Sequence, residues 1–358
     1  MTYDMEQINI ETDRVFVCGG GHQGLSMSAH LALNGIKVNL WNRTQSHIQK
    51  ICDTKKIHCD GVVNGVAMIE SATSCIDEVI SDFVMVTTPS DAHIDIAKKI
   101  APYVHKDMVI VLNPGRTFGA IEFANTLKEC GVKELPHIAE TQTIVYTCRK
   151  KNDNSVTIFA LKENVKIAAL KGSDIEYIMD KMPKCLKKYF SISDSVLSTS
   201  LANVGMILHC APVLMNIGWI ESEQVDFKYY YDGISRSVAD FLEKLDKERQ
   251  EVALKIGYPV ESVKEWLERT YDATGDNLYE CIRNNESYRQ IDAPETINCR
   301  YILEDVPNGL VPIETLGKEL GISTDNITTI IDLANSVLNT DFRKKGRRFS
   351  YYSVKEYV

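Results

Sequence analysis

The sequence lacks the cysteine spacing of a metal site or a disulfide framework. Its ten cysteines are scattered, and they form neither a CxxC pair nor a cysteine–histidine cluster at zinc spacing. We therefore expect no metal, and we predict reduced, mostly buried thiols.

Signals for membrane insertion or secretion are also missing. We find no apolar run of the roughly 18 residues that a transmembrane helix needs. Residues 1–14 (MTYDMEQINIETDR) carry acids where a secretory signal has a basic segment followed by an apolar one. The sequence thus predicts a cytoplasmic protein without a membrane partner.

An excess of basic residues is absent as well. The formal net charge of −9 argues against nucleic acid as a partner, and the one basic run, RKKGRR (Arg343 to Arg348), is predicted to be solvated surface. The chain is 44% hydrophobic and 25% charged, which is typical of a globular protein. Its 358 residues favour two domains.

Short β-rich runs alternate with helical patterns in the first half. VFVC is followed by a helical pattern and by IKVNLW, and DFVMVTTP and DMVIVLNPG flank a further helical segment. This alternation predicts a parallel sheet covered on both faces. SVTIFALK and VKIAAL indicate that β structure continues to about residue 170.

The stretch VFVCGGGHQG satisfies the pattern G-x-G-x-x-G through Gly19, Gly21 and Gly24. It follows a predicted strand and opens a predicted helix, so backbone N–H groups can face a pyrophosphate at the helix N-terminus. The alternative is a plain strand-to-helix turn built from small residues. We predict a dinucleotide-binding loop, in which His22 and Gln23 also contact the cofactor.

The end of the second predicted strand has no acidic residue. NAD-binding domains place an acid there, about twenty residues after the glycines, for the ribose 2′-hydroxyl. Asn42 and Arg43 occupy this place, and an arginine can pair with a 2′-phosphate, although one at a loop tip can also be merely solvated. The sequence therefore predicts NADP (NADPH) in preference to NAD.

Two further loops follow predicted strands at the edge where such sheets bind ligands. They make Thr88, Pro89 and Asn113 predicted cofactor contacts. His93 is either a further contact or a histidine that merely starts a helix.

The 3.6-residue period dominates from about residue 193. In residues 233–256 the apolar positions form one stripe, and Gly257 stands where a C-terminal cap belongs. VPIETLGKELGI and TDNITTIIDLANSVL predict two more helices. We therefore predict an α/β Rossmann domain over residues 1–195 and an all-α substrate domain over residues 196–358.

Five segments, in order along the chain, resemble the octopine/nopaline (opine) dehydrogenase family. They are NPGRTFGAIEF, ETQTIVYTCR, LANVGMILHCAPVLMNIG, LDKERQEVALKIG and CRYILEDVPNGLVPI. The resemblance runs from the glycine motif to about residue 340. It implies an NAD(P)H-dependent condensation of an amino acid with an α-keto acid such as pyruvate, followed by reduction of the imine. The expected partners are these small molecules and, as a homodimer, a second copy of the chain.

The same resemblance implies the catalytic residues. His209 matches the family's catalytic histidine and Asp305 its carboxylate partner, which would fix the imidazole tautomer. Arg300 matches a substrate-carboxylate arginine. From the residues alone, His209 would more often be a core histidine, and RYILED could be a surface segment with an ordinary ion pair.

This chain departs from the family at two positions near His209. Gly205 stands where an asparagine is common, and Cys210 stands where a proline often follows the histidine. Asn203 is six residues before His209, which on a helix turns it about 120° away. A substrate-polarising amide is therefore missing here or supplied from elsewhere.

Two alternative functions remain open at this level. One is a reductase of the 6-phosphogluconate, glycerol-3-phosphate or ketopantoate type, which takes a single substrate and usually uses a lysine base. The other is a non-catalytic NADP-binding protein. The sequence also leaves open whether FKYYYDG and RFSYYSVKEYV belong to an interface or to the rim of the core.

Overall fold

A computed structural model gives the structure of the chain, and it describes residues 11–356. Residues 1–10, which belong to the acidic N-terminal segment discussed above, lie outside the described residues. The last two residues of RFSYYSVKEYV also lie outside them. The chain forms two compact units. The first comprises the chain through Thr88 together with residues 94–114 and 123–192, and the second comprises residues 89–93, 115–122 and 193 onwards.

The strands lie in the first unit. In chain order they are β1 (Arg14–Cys18), β2 (Lys37–Trp41), β3 (Lys56–Gly61), β4 (Gly65–Met68), β5 (Ser71–Thr73), β6 (Phe83–Val86), β7 (Val109–Leu112), β8 (His137–Thr141), β9 (Tyr146–Asn152), β10 (Ser155–Leu161), β11 (Val165–Ala169) and β12 (Phe190–Ile192). All residues of β6 and β7 are buried, as are four of the five in β1. Such continuous apolar runs are typical of parallel strands covered on both faces.

The main sheet has the order β5–β2–β1–β6–β7–β8–β11–β12. Neighbouring strands from β5 to β8 are parallel, and β11 is antiparallel to β8. Strands β2 and β5 lie on one side of β1, and the next strand in the chain, β6, lies on the other side of β1. The carboxyl end of β1 therefore lies at the topological switch point, where sheets of this kind bind ligands. The predicted α/β Rossmann fold is confirmed.

A second sheet, of order β4–β3–β10–β9, was not predicted. The run SVTIFALK forms β10 of this sheet, whereas VKIAAL forms β11 of the main sheet. Strands β3 and β4 are short and partly polar, so their periodicity gave little signal. Buried side chains such as Ile57, Ala67 and Val156 join this sheet to the core of the first unit.

The helices are, in chain order, α1 (His22–Leu33), α2 (Gln49–Thr54), α3 (His93–Ile100), α4 (Gly119–Glu129), α5 (Ile175–Lys181), α6 (Lys184–Lys187), α7 (Val196–Leu201), α8 (Gly205–Met215), α9 (Ile217–Ile220), α10 (Arg236–Ile256), α11 (Val263–Tyr271), α12 (Leu278–Asn284), α13 (Arg300–Leu303), α14 (Val311–Leu320), α15 (Asp325–Leu338), α16 (Phe342–Lys345) and α17 (Tyr351–Lys355). A π-helical turn (Val306–Leu310) connects α13 to α14. The predicted helical second half is confirmed.

Helix α10 shows why the second half folds as helices. Its start is capped by the Ser235 hydroxyl, which accepts a hydrogen bond from the Val238 N–H, and it ends at Gly257 with a φ of +101°. Leu242, Leu245 and other members of the predicted stripe are buried. One apolar face thus packs into the helical core.

The prediction that no apolar run reaches transmembrane length was wrong. Residues Val196–Met215 form a 20-residue stretch, within which an 18-residue window has a mean hydropathy of 1.4. The structure divides the stretch into α7 and α8, and 89% of that window is buried inside the protein. Protein side chains therefore cover this apolar surface.

Candidate functional site

The glycine loop between β1 and α1 has the shape of a phosphate cradle. Gly19 has a φ of +120°, which L side chains rarely adopt. A Cβ at Gly24 would lie 1.7 Å from the Gly19 carbonyl oxygen, so α1 can approach β1 only with glycine there. A Cβ at Gly21 would meet nothing within 4 Å, and no side chain caps α1. The loop therefore leaves an open side and uncapped helix N–H groups for a pyrophosphate.

The other predicted residues of the motif make contacts inside the first unit. His22 Nδ1 accepts a hydrogen bond from the Lys150 N–H at 2.7 Å, and Gln23 Nε2 donates to the Tyr146 carbonyl at 3.4 Å. These contacts fix the start of α1 against β9. Whether His22 and Gln23 also contact a cofactor stays a prediction.

Asn42 and Arg43 directly follow β2, and they lie in different environments. Asn42 Oδ1 accepts a hydrogen bond from the Gly20 N–H at 2.9 Å, and its Nδ2 donates to the Thr44 carbonyl. Asn42 thus holds the glycine loop in shape. The Arg43 guanidinium is largely exposed, and its ion pair within residues 11–356 is with the exposed Asp95, at 3.8 Å, so it remains available for an anionic ligand.

Thr88 and Asn113 follow β6 and β7 at the carboxyl edge of the sheet. Within residues 11–356, Thr88 Oγ1 and Asn113 Oδ1 are buried without a hydrogen-bond partner. Unpaired buried polar atoms are costly, which fits two groups that await a cofactor. Pro89 belongs to the second unit, where it precedes the turn Ser90–Ala92.

The second unit brings His209 and Asp305 together. His209 lies on α8, Asp305 lies between α13 and the π-helical turn, and His209 Nδ1 is 2.7 Å from Asp305 Oδ2. The Tyr301 ring stacks on the imidazole at 4.0 Å, and the Tyr229 hydroxyl donates to the His209 carbonyl at 2.7 Å. Asp305 therefore occupies the Nδ1 side of the imidazole and fixes the orientation of the ring.

The electrostatic environment favours a neutral His209 in the free protein. Burial lowers the pKa of the imidazole below its ordinary value. The Asp305 carboxylate opposes this effect, while the positive charges of Arg300 and Arg116 reinforce it.

Sequence reasoning missed a pair of charges next to this histidine. Arg116 is buried and contacts both Glu304 (Nε to Oε1, 3.4 Å) and Asp305 (Nη1 to Oδ1, 3.7 Å). Burial raises the pKa of Glu304, but the neighbouring Arg116 and Arg300 outweigh it and hold that pKa well below its usual range. Glu304 therefore stays ionised. The dipeptide Glu304–Asp305 was the only sequence signal for this cluster.

Arg300, the predicted substrate-carboxylate residue, lies at the edge of the same cluster. Its Nη1 donates to Glu304 Oε2 at 3.0 Å, and its side chain is 47% exposed. The structure therefore places it beside the His209–Asp305 pair with half of its surface free.

The geometry around Gly205 explains why a glycine stands where the family commonly has an asparagine. A Cβ at Gly205 would lie 2.6 Å from Arg116 Nη1. Asn203 lies just before α8, where its Oδ1 accepts hydrogen bonds from the Gly205 N–H and from Arg116 Nη1, at 3.1 and 3.4 Å. Arg116 thus occupies the space that a side chain at position 205 would take.

The prediction that RKKGRR is solvated surface was wrong for Arg347. Its fully buried guanidinium donates to Glu122 Oε2 and to the carbonyls of Gly115 and Thr117. It also contacts His93 Nδ1 at 3.2 Å, so His93 has a structural partner at the start of α3. Arg347 therefore fixes the segment that carries Arg116.

Burial decides between the two alternatives left open for FKYYYDG, and it also bears on the predicted buried thiols. Tyr229 and Tyr230 of FKYYYDG are buried, so this segment belongs to the core of the helical unit. Burial raises the pKa of the Cys148 thiol to about 11, and its Sγ contacts the His22 carbonyl. All ten cysteines are free.

The sequence matches two family models. Residues 192–338 match the alpha-helical domain of the NAD/NADP octopine/nopaline dehydrogenases, and residues 15–118 match the ketopantoate reductase family PanE/ApbA. These matches fall on the helical half and on the sheet half of the chain, respectively.

Whole-chain relatives agree with the first of these matches. The chain is 36% identical over 341 residues to an opine dehydrogenase from Arthrobacter sp. (strain 1C), covering 94% of each chain. An octopine dehydrogenase solved with NADH and agmatine has a TM-score of 0.75 at 19% identity, covering 96% of this chain and 95% of that one. A yersinopine dehydrogenase solved with NADP⁺ has a TM-score of 0.73 at 11% identity, covering 98% and 99%. The chain therefore belongs to the octopine/nopaline (opine) dehydrogenase family, as its sequence motifs predicted.

Proposed function

We propose that the protein uses NADPH to reduce the imine formed between an amino acid and a short α-keto acid such as pyruvate. The observation that carries this proposal is the buried His209–Asp305 pair, which lies beside the cations Arg116 and Arg300. Both substrates carry a carboxylate, which positive charge can bind. Their condensation also needs proton transfer, which an acid–base group can supply.

Proton transfer is assigned to His209 Nε2. Condensation of amine and ketone releases water, so the carbinolamine hydroxyl must receive a proton as it leaves. The carboxylates of the substrates favour the imidazolium form and so oppose the lowering of the His209 pKa. Asp305 holds Nδ1 and stabilises the positive charge that develops on the ring.

Substrate binding is assigned first to Arg300. Its half-exposed guanidinium offers N–H donors beyond the one that Glu304 engages, and a carboxylate accepts two of them side by side. Arg116 is too buried and too well paired to leave its carboxylates, so it acts as fixed positive charge near the reacting groups.

The cofactor is assigned to the first unit. The glycine loop would hold the pyrophosphate, and Thr88 and Asn113 have unpaired atoms at the same edge of the sheet. A bound nicotinamide supplies the hydride that reduces the imine. The missing acid after β2 and the exposed Arg43 support NADPH over NADH.

The test is an assay of NADPH oxidation with pyruvate and a panel of amino acids. We expect oxidation only when both substrates are present, and its loss in His209→Ala. His105→Ala, a change of an exposed histidine in the first unit, should retain activity. No oxidation with any pair, or full activity in His209→Ala, would overturn the proposal.

The match of residues 15–118 to the ketopantoate reductases favours one other candidate, a reductase of a single keto substrate. Such an enzyme would consume NADPH without an amine. Its usual base is a lysine on the helical domain, whereas the helical unit here carries the His209–Asp305 pair. NADPH binding without turnover of any substrate would instead indicate a binding protein.

A further inference from the structure

Lys150 on β9 reaches two segments that are far from it in sequence. Its Nζ lies 3.0 Å from the His47 carbonyl oxygen and 3.4 Å from the Gly20 carbonyl oxygen. Its backbone N–H donates to His22 Nδ1 at 2.7 Å, which ties this part of β9 to the glycine motif. The ammonium therefore bridges the glycine loop and the turn Gln45–His47, which follows β2.

These two segments flank the place expected for the adenosine ribose. In dinucleotide-binding domains the group at the end of the second strand faces the ribose 2′ position. Here that group is Asn42, whose Oδ1 is 2.9 Å from the Gly20 nitrogen. Lys150 contacts the same residue, Gly20, from the carbonyl side. Its positive charge is thus within reach of the 2′ substituent.

The charges near Lys150 leave this ammonium incompletely neutralised. Its side chain is 19% exposed, and its carboxylate contact is Asp153, which is 62% exposed and 3.8 Å away. The other two contacts of Nζ are neutral carbonyls. A partly desolvated ammonium whose carboxylate contact is long and solvent-exposed gains more from a phosphate than a fully solvated one does.

Arg43 alone does not explain a preference for a 2′-phosphate. Its side chain is 70% exposed and its contact is Asp95, also exposed, at 3.8 Å. An exposed surface arginine contributes little, whereas Lys150 is held in place by β9 and its backbone hydrogen bonds.

We propose that Lys150 is the main determinant of NADP specificity, contacting the 2′-phosphate of the cofactor from the β9 strand. This inference deepens the proposed function and rests on the cofactor preference stated there. Lysine is a common phosphate ligand that acts as a point charge. This phosphate contact comes from β9, about 130 residues after the glycine loop. The sequence around Arg43 therefore does not reveal it.

The test measures dissociation constants of NADPH and NADH by quenching of protein fluorescence, independently of turnover. In Lys150→Met we expect NADPH binding to weaken about 10- to 100-fold and NADH binding to change less than about threefold. Lys150→Arg, which keeps the charge, should restore much of the NADPH affinity. As further probes we compare adenosine 2′,5′-bisphosphate with adenosine 5′-monophosphate. The affinity for the bisphosphate should fall in Lys150→Met as the affinity for NADPH does.

The matched control is Lys151→Met, because Lys151 is the next residue of β9 and its Nζ pairs with Asp60 at 2.6 Å. This change should leave both affinities unaltered. If the wild-type protein prefers NADPH and Lys150→Met keeps that preference, the role of Lys150 is overturned while the cofactor proposal stands. If the wild-type protein binds NADH as tightly as NADPH, both are overturned.

Discussion

The guanidinium of Arg116 occupies the space beside Gly205, where an added Cβ would lie 2.6 Å from Nη1. Asn203, Glu304 and Asp305 hold that guanidinium in place, so it cannot move away without losing ion pairs. Gly205 and the buried Arg116 therefore depend on each other, because the guanidinium fits there only when position 205 has no Cβ. A cation that is fixed next to Asp305 thus takes the space beside position 205, where the family commonly has an asparagine.

Gly205→Ala is expected to lower the free energy of unfolding by about 1–3 kcal/mol, because the new methyl group displaces a buried, paired guanidinium. The same change should cost at least about 1 kcal/mol less in an Arg116→Ala background, since the clash is then gone. Chemical denaturation of the four proteins measures this coupling. Gly218→Ala, where a Cβ meets nothing within 4 Å, is the control. Equal costs in both backgrounds would contradict the arrangement.

Asp305→Asn should reduce kcat for imine reduction by about 10²- to 10⁴-fold, by analogy with other His–carboxylate pairs. The amide can still contact His209 Nδ1, but it neither fixes the same tautomer nor stabilises an imidazolium. The measurement is steady-state NADPH oxidation, with NADPH affinity as a check that the first unit is intact. Asp292→Asn, at an exposed ion pair with Lys228, should be silent. A loss below about threefold would show that His209 works without this carboxylate.

The pH dependence follows from the lowered pKa of His209. In the direction of opine oxidation the imidazole acts as base, so kcat/KM requires its neutral form in the free protein. Because burial lowers the pKa of His209 below 6.5, activity should be constant above that pH and fall as the pH drops through the lowered pKa. The profile is measured with the opine that the forward assay yields. A midpoint above 7 would contradict the neutral, buried imidazole.

Local patterns in the sequence were sufficient to predict the glycine loop and the helix ending at Gly257, and the family resemblance singled out His209 and Asp305, which the structure places 2.7 Å apart. Each of these depends on residues close together in the chain or on a motif of the family. Arg116, Glu304 and Lys150 take their roles from contacts between segments 103 to 188 residues apart, such as Arg116 with Glu304. The burial of Arg347 depends in the same way on segments more than 200 residues earlier. Periodicity carries no information about such contacts.

Arg347 and Arg348 are neighbouring arginines with opposite expected behaviour. Arg347 is 3% exposed and bonds to Glu122, Gly115 and Thr117, whereas Arg348 is exposed. Arg347→Met removes the guanidinium that donates to the Glu122 carboxylate and to two carbonyls, a loss of about 3–5 kcal/mol. For a unit of this size that corresponds to a fall in Tm of at least about 6 °C.

The decisive comparison is thermal unfolding of Arg347→Met, Arg347→Lys and Arg348→Met. We expect Arg348→Met to melt like the wild type, because a solvated arginine contributes little to stability. Lysine can retain one charged contact but not the several donors of the guanidinium, so Arg347→Lys should fall between the other two. Since Arg347 also fixes the segment that carries Arg116, kcat should fall together with Tm. Equal melting temperatures for Arg347→Met and Arg348→Met would contradict the buried hydrogen-bond network.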